Sequence, residues 1–140
     1  MARFEGTDDA DDLRGNWRGN LIRGGDGEDT IRGLGGDDTL YGDDDDDLVY
    51  GGTGNDRLHG GKGEDTLYGD GGNDYLTDES GNDAFYGGGG HDTIEAGEGN
   101  DSAWGGSGND MIDGGSGNDL VDGGTGNDTL VGGEGDDTLL

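Results

Sequence analysis

Residues 96–140 read AGEGNDSAW, GGSGNDMID, GGSGNDLVD, GGTGNDTLV and GGEGDDTLL. These five consecutive nonapeptides share one form: Gly-Gly-x-Gly-x-Asp, then x, an apolar residue and x. Traced back toward the N-terminus, the same frame divides Gly6–Leu140 into fifteen nonapeptides with no insertion or deletion. The sixth position is Asp in fourteen of them: Asp11, Asp29, Asp38, Asp47, Asp56, Asp65, Asp74, Asp83, Asp92, Asp101, Asp110, Asp119, Asp128 and Asp137. The exception is Asn20. The eighth position is apolar in all fifteen, from Leu13 and Ile22 through Phe85 and Ala103 to Leu130 and Leu139, and Phe4 keeps the same phase ahead of the first frame. A fixed period of this kind decides the architecture before any local propensity does.

Composition without the period would read as disorder. The chain has 38 Gly, no Pro, no Cys, only 25% hydrophobic residues and a formal net charge of −28. Such a chain repels itself and buries little. The acidic balance speaks against nucleic acid, whose phosphates it would repel, and against anionic membranes. It suits multivalent cations. With no Cys there is no disulfide framework, so another staple is needed.

The residue types explain how such a repeat can fold. Glycine adopts positive φ without steric cost, so Gly-Gly-x-Gly bends sharply and turns its carbonyls toward one point. The Asp that follows ends the bend with a hard anionic oxygen. Calcium takes six to eight oxygens from carboxylates and backbone carbonyls, and this turn offers both. Positions seven to nine then read out-in-out, the period of a strand, with the eighth residue buried.

The pattern resembles the RTX (hemolysin-type) calcium-binding nonapeptide-repeat family, over essentially the whole chain and in strict register. The resemblance implies an all-β fold: a right-handed parallel β-roll with two nonapeptides per turn and calcium between turns stacked on the same side. The position-six Asp residues are then its metal ligands. Eight turns on one side and seven on the other leave thirteen gaps, so about thirteen Ca2+ are expected, bringing +26 against −28. Extracellular modules bind calcium at roughly 10⁻⁴–10⁻³ M, so the chain is expected to be secreted and to fold outside the cell.

Residues eighteen apart stack in such a roll. Split by parity, one set of frames carries a largely charged third position (Asp8, Asp26, Asp44, Lys62, Ser80, Glu98, Ser116, Glu134), and the other a nearly neutral one (Trp17, Gly35, Thr53, Gly71, Gly89, Ser107, Thr125). The ninth position of the charged set runs Arg14, Arg32, Tyr50, Tyr68, Tyr86, Trp104. Stacked rings there would stabilise neighbouring strands. The alternative is a partner surface for carbohydrate or protein.

Residues 1–23 form degenerate, Arg-rich N-terminal turns, and 24–140 the regular repeats of one continuous solenoid. Asp9 and Arg18 stand where the third Gly should be, and Asn20 replaces the Asp. Asp45 also takes a Gly position, which Asp tolerates better than most residues. Asp78 and Glu79 replace a Gly pair.

The only histidines, His59 and His91, occupy variable positions with no nucleophile, so no catalytic residue is assigned. The expected function is structural: a roll that folds on a ladder of calcium ions. The alternative is a repeat block from a larger secreted toxin, protease or adhesin, aiding its secretion and folding. Head-to-tail stacking into filaments is a further expectation, with Phe4 of one copy over Leu130 of the next.

Overall fold

The computed structural model describes residues 1–140 and contains sixteen strands and no helix. One sheet has the order β1 (Ala2–Glu5), β3 (Asn20–Asp26), β5 (Thr39–Asp44), β7 (Arg57–Lys62), β9 (Tyr75–Thr77), β11 (Thr93–Glu95), β13 (Met111–Ser116) and β15 (Thr129–Glu134). The other runs from β2 (Asp12–Arg14) through β4 (Thr30–Gly35), β6 (Leu48–Thr53), β8 (Thr66–Gly71), β10 (Ala84–Gly89), β12 (Ser102–Ser107) and β14 (Leu120–Thr125) to β16 (Thr138–Leu139). Successive strands therefore alternate between sheets, and every pairing is parallel between residues eighteen apart, as in Phe85 beside Leu67 and Ala103. This is the parallel β-roll with two nonapeptides per turn.

The core is a single file of side chains between the sheets. Twelve eighth-position residues, from Ile22 to Val121, are buried there. Phe4, Leu13 and Leu130 pack against its ends. Fully burying one such side chain gives roughly 1.5–3 kcal/mol, and each turn of the roll contributes only two. Ala96, a first-position residue, is the thirteenth member of the core.

The strands are longer than the three residues the alternation suggests. Most run from the seventh position of one frame through the third of the next, as Leu48–Thr53 does. This corrects the pairing of surface rows. Tyr50 shares β6 with the neutral Thr53, and Arg23 shares β3 with the acidic Asp26. The aromatic row and the charged third positions thus lie on opposite sheets, because each strand crosses from one column of turns to the other.

Candidate metal centre

Each turn uses its three glycines for two different reasons. The second and fourth positions have positive φ, as in Gly115 (95°) and Gly117 (137°). Where Asp replaces them the backbone keeps that conformation, with Asp43 at 86° and Asp45 at 79°. The first glycine is needed for room. A Cβ on Gly105 would stand 2.5 Å from Asp110 Oδ2 and 2.7 Å from the Gly123 carbonyl oxygen.

The sixth-position residues form two columns. In each, one carboxylate oxygen, Oδ1, accepts the backbone N–H of the residue eighteen earlier: Asp92 N–H to Asp110 at 2.9 Å, Asp101 N–H to Asp119 at 2.9 Å. The second oxygen, Oδ2, is buried without a partner in Asp29, Asp38, Asp47, Asp56, Asp65, Asp74, Asp83, Asp92, Asp101, Asp110 and Asp119. Buried acceptors of this kind cost roughly 1–3 kcal/mol each when unpaired, and more when charged. Burial pushes these carboxyls up, against the opposing backbone hydrogen bond and with the stacked Asp neighbours adding to the rise. Asp47, Asp74 and Asp83 reach about 7, and Asp56 and Asp101 about 6.

The first two turns differ. Asp11 Oδ2 accepts from the Thr7 backbone N–H at 2.7 Å and from Thr7 Oγ1 at 2.9 Å. Asn20 puts its amide nitrogen beside Gly15 and the Gly33 carbonyl, the place that Asp29 Oδ2 holds beside Gly24 and the Gly42 carbonyl. From there Nδ2 donates to Asp38 Oδ1 at 2.8 Å, to the Asn16 carbonyl at 3.3 Å and to the Arg18 carbonyl. An amide donor thus satisfies oxygens that face a bare carboxylate in the later turns. The eleven orphaned oxygens, set among backbone carbonyls, fit a hard cation such as calcium. Asp128 and Asp137 belong to the same columns at the open end, where they are half-buried.

The rings of Tyr50, Tyr68, Tyr86 and Trp104 stack nearly parallel, with successive centroids 4.9, 4.6 and 4.8 Å apart. Arg32 lies over the outer face of Tyr50 at 5.6 Å. The ring faces cover one another, and a partner would meet mainly their edges. Phe4 is half-buried in β1, beside Ile22.

Two further columns of side chains escaped the sequence reading. Fifth-position side chains accept the backbone N–H of the residue eighteen later: Asn55 from Asn73, Asn73 from His91, and Asn82 from Asn100, at 2.8–2.9 Å. His91 takes its turn in the column of Asn55 and Asn73, accepting at Nδ1 from the Asn109 N–H at 2.8 Å. It occupies a structural position. The signal was available, since the fifth position is Asn or Asp in ten of the fifteen frames.

Two sheets and two columns of acidic turns define a parallel β-roll lined with unpaired carboxylates. The family of the RTX calcium-binding nonapeptide repeat (4 copies) matches at residues 5–40, 14–49, 23–58, 41–76, 50–85, 68–103, 86–121 and 104–139. The chain belongs to this family of calcium-binding repeats. No curated protein matches it.

Proposed function

We propose that the chain is an extracellular structural module whose β-roll forms when calcium occupies the gaps between stacked turns. The ligands are the position-six Asp carboxylates together with the turn carbonyls. The observation that carries this reading is the set of eleven buried Oδ2 atoms without a donor, in a chain of net charge −28. Calcium supplies a dipositive centre for these oxygens, and its binding free energy becomes folding free energy.

The proposed stoichiometry is eleven, two below the number of gaps. Thr7 and the Asn20 amide already serve the two gaps nearest the N-terminus, which also makes 1–23 a calcium-independent end. Eleven divalent ions bring +22 against −28. Far-UV circular dichroism and small-angle scattering in chelator and in millimolar calcium test the reading. Calcium should convert an expanded chain into a compact β-rich one, and magnesium should do so poorly, since it demands tight octahedral geometry and keeps its waters. A compact, β-rich protein in chelator at neutral pH contradicts it.

Head-to-tail stacking is part of the same proposal. The outer edges of β1 and β15 belong to one sheet, and those of β2 and β16 to the other. A second copy can continue both sheets with Phe4 over Leu130 and Leu13 over Leu139. Unpaired edges invite such addition, and a contact that does not close generates a fibre. Phe4→Asp should abolish calcium-dependent filaments in negative-stain micrographs and leave calcium-induced folding intact.

A further inference from the structure

At one level of the roll a third carboxylate enters the column. Asp78 occupies the first position of its frame, where the turns above and below carry Gly60 and Ala96. Its side chain turns back toward the preceding turn, and a Cβ built on Gly60 would fall on Asp78 Oδ2 and on Asp65 Oδ2. One oxygen each of Asp65, Asp78 and Asp83 lies within 4.8 Å of the others. The three residues are 1%, 7% and 2% exposed.

The cluster is not explained by its hydrogen bonds. Asp78 accepts from the Gly61 and Ser80 N–H groups, both at 3.0 Å. Asp65 Oδ1 accepts from Asp47 N–H at 2.7 Å, and Asp83 Oδ1 from Asp65 N–H at 2.8 Å. Asp65 Oδ2 and Asp83 Oδ2 remain buried without any partner, and the former faces Asp78 across the space beside Gly60. No basic side chain forms an ion pair with any of the three. Lys62 pairs with Asp44 at 2.8 Å, and His59 faces Glu79 at 3.7 Å.

The fold accommodates this intrusion at a cost in pairing. β9 stops at Thr77 and β11 at Glu95, and beyond them the sheet continues as single bridges, Lys62 to Ser80, Ser80 to Glu98 and Glu98 to Ser116. A residue that follows the end of β9 and adds a buried carboxylate to the column has no packing rationale. It has a ligand rationale, because the charge count of a site sets its affinity for hard cations.

We infer that Asp65, Asp78 and Asp83 form a modified cation site in the Asp65–Asp83 gap of the repeat's own ladder, with three carboxylates that favour a hard ion and match a trivalent one in charge. It is the tightest site of the roll. The inference rests on the reading of the other turns as calcium sites, and the experiment separates the two.

The full chain is folded in saturating calcium, so that circular dichroism reports the fold throughout, and terbium chloride is titrated in while its luminescence lifetime is read in H2O and D2O. The wild type should take up one equivalent at a terbium concentration about tenfold or more below the rest, with the small isotope effect of a buried, water-poor ion. Asp78→Gly restores the repeat's usual residue and should lose that equivalent while keeping its β signal. Asp78→Asn keeps an acceptor for one of the two N–H groups, of Gly61 or Ser80, removes the charge and should lose that equivalent too. Uniform uptake by the wild type, or a first equivalent unchanged in either variant, overturns the inference and leaves the calcium reading standing. A wild type that gains no β structure in calcium overturns both.

Discussion

The first two turns and the eleven that follow share a backbone path but not an electrostatic problem. At Asp11 and Asn20 the protein supplies its own donors, from Thr7 and from the Asn20 amide. From Asp29 to Asp119 the same position holds a buried oxygen with nothing to accept from. The repeat motif alone therefore does not set the need for a cation. What sets it is whether a donor meets the second carboxylate oxygen, as Thr7 does at Asp11, or takes its place, as the Asn20 amide does.

The largest effect that separates the two regions is on the whole roll, through pH in the absence of calcium. The carboxyls raised by burial all lie between Asp29 and Asp119. A pKa raised above the ordinary 3.8 means that folding takes up protons. Its contribution to stability is full below about pH 4 and is lost as pH rises through about 6–7. In chelator, acid should therefore induce β structure that disappears by neutral pH. In calcium the dependence reverses, because protons compete for the ligands. Circular dichroism across pH in both conditions reads this. A chelated chain equally unfolded at pH 4 and pH 8 breaks the link between orphaned oxygens and the need for charge neutralisation.

Single residues give the next effect. Asp110→Ala removes an orphaned oxygen and also the acceptor for the Asp92 N–H. It should cost about 2 kcal/mol and raise the calcium midpoint of folding accordingly; Asp119→Ala should behave alike. Asp11→Ala removes a carboxylate already satisfied by Thr7 at the exposed end of the stack, and should leave the midpoint nearly unchanged. Equal midpoints for all three would erase the distinction between the regions. The smallest effect is the most specific. Asn20→Asp converts a donor-filled turn into one like its neighbours and should add one bound ion by equilibrium dialysis. An unchanged count would mean that the amide does not stand in a cation's place.

Much of this was legible in the sequence, because the period places every eighth-position side chain in the core and every sixth-position Asp in a column. Asp45 keeps the positive φ of the Gly it replaces. Other features depend on what faces a residue across the stack, which no single frame reveals. The fifth-position columns exist only in the stack, where Asn55, Asn73 and His91 lie one above another. The Gly-Gly-x start of a frame reads as turn although it pairs as strand, so the frame alone sets Tyr50 beside the charged third positions. Asp78 read as a departure from the repeat. Its carboxylate points at the previous turn, a direction that follows from the stacking and not from the motif.

The most direct measurement is a crystal structure of the chain grown in calcium, with ions located by their anomalous scattering. Ions should stand beside the Oδ2 atoms of Asp29 through Asp119, with none between Asn20 and Asp38, where the Asn20 amide already lies. A roll whose buried carboxylates carry no ions, or one with an ion at the Asn20 level as at every other, would contradict the account.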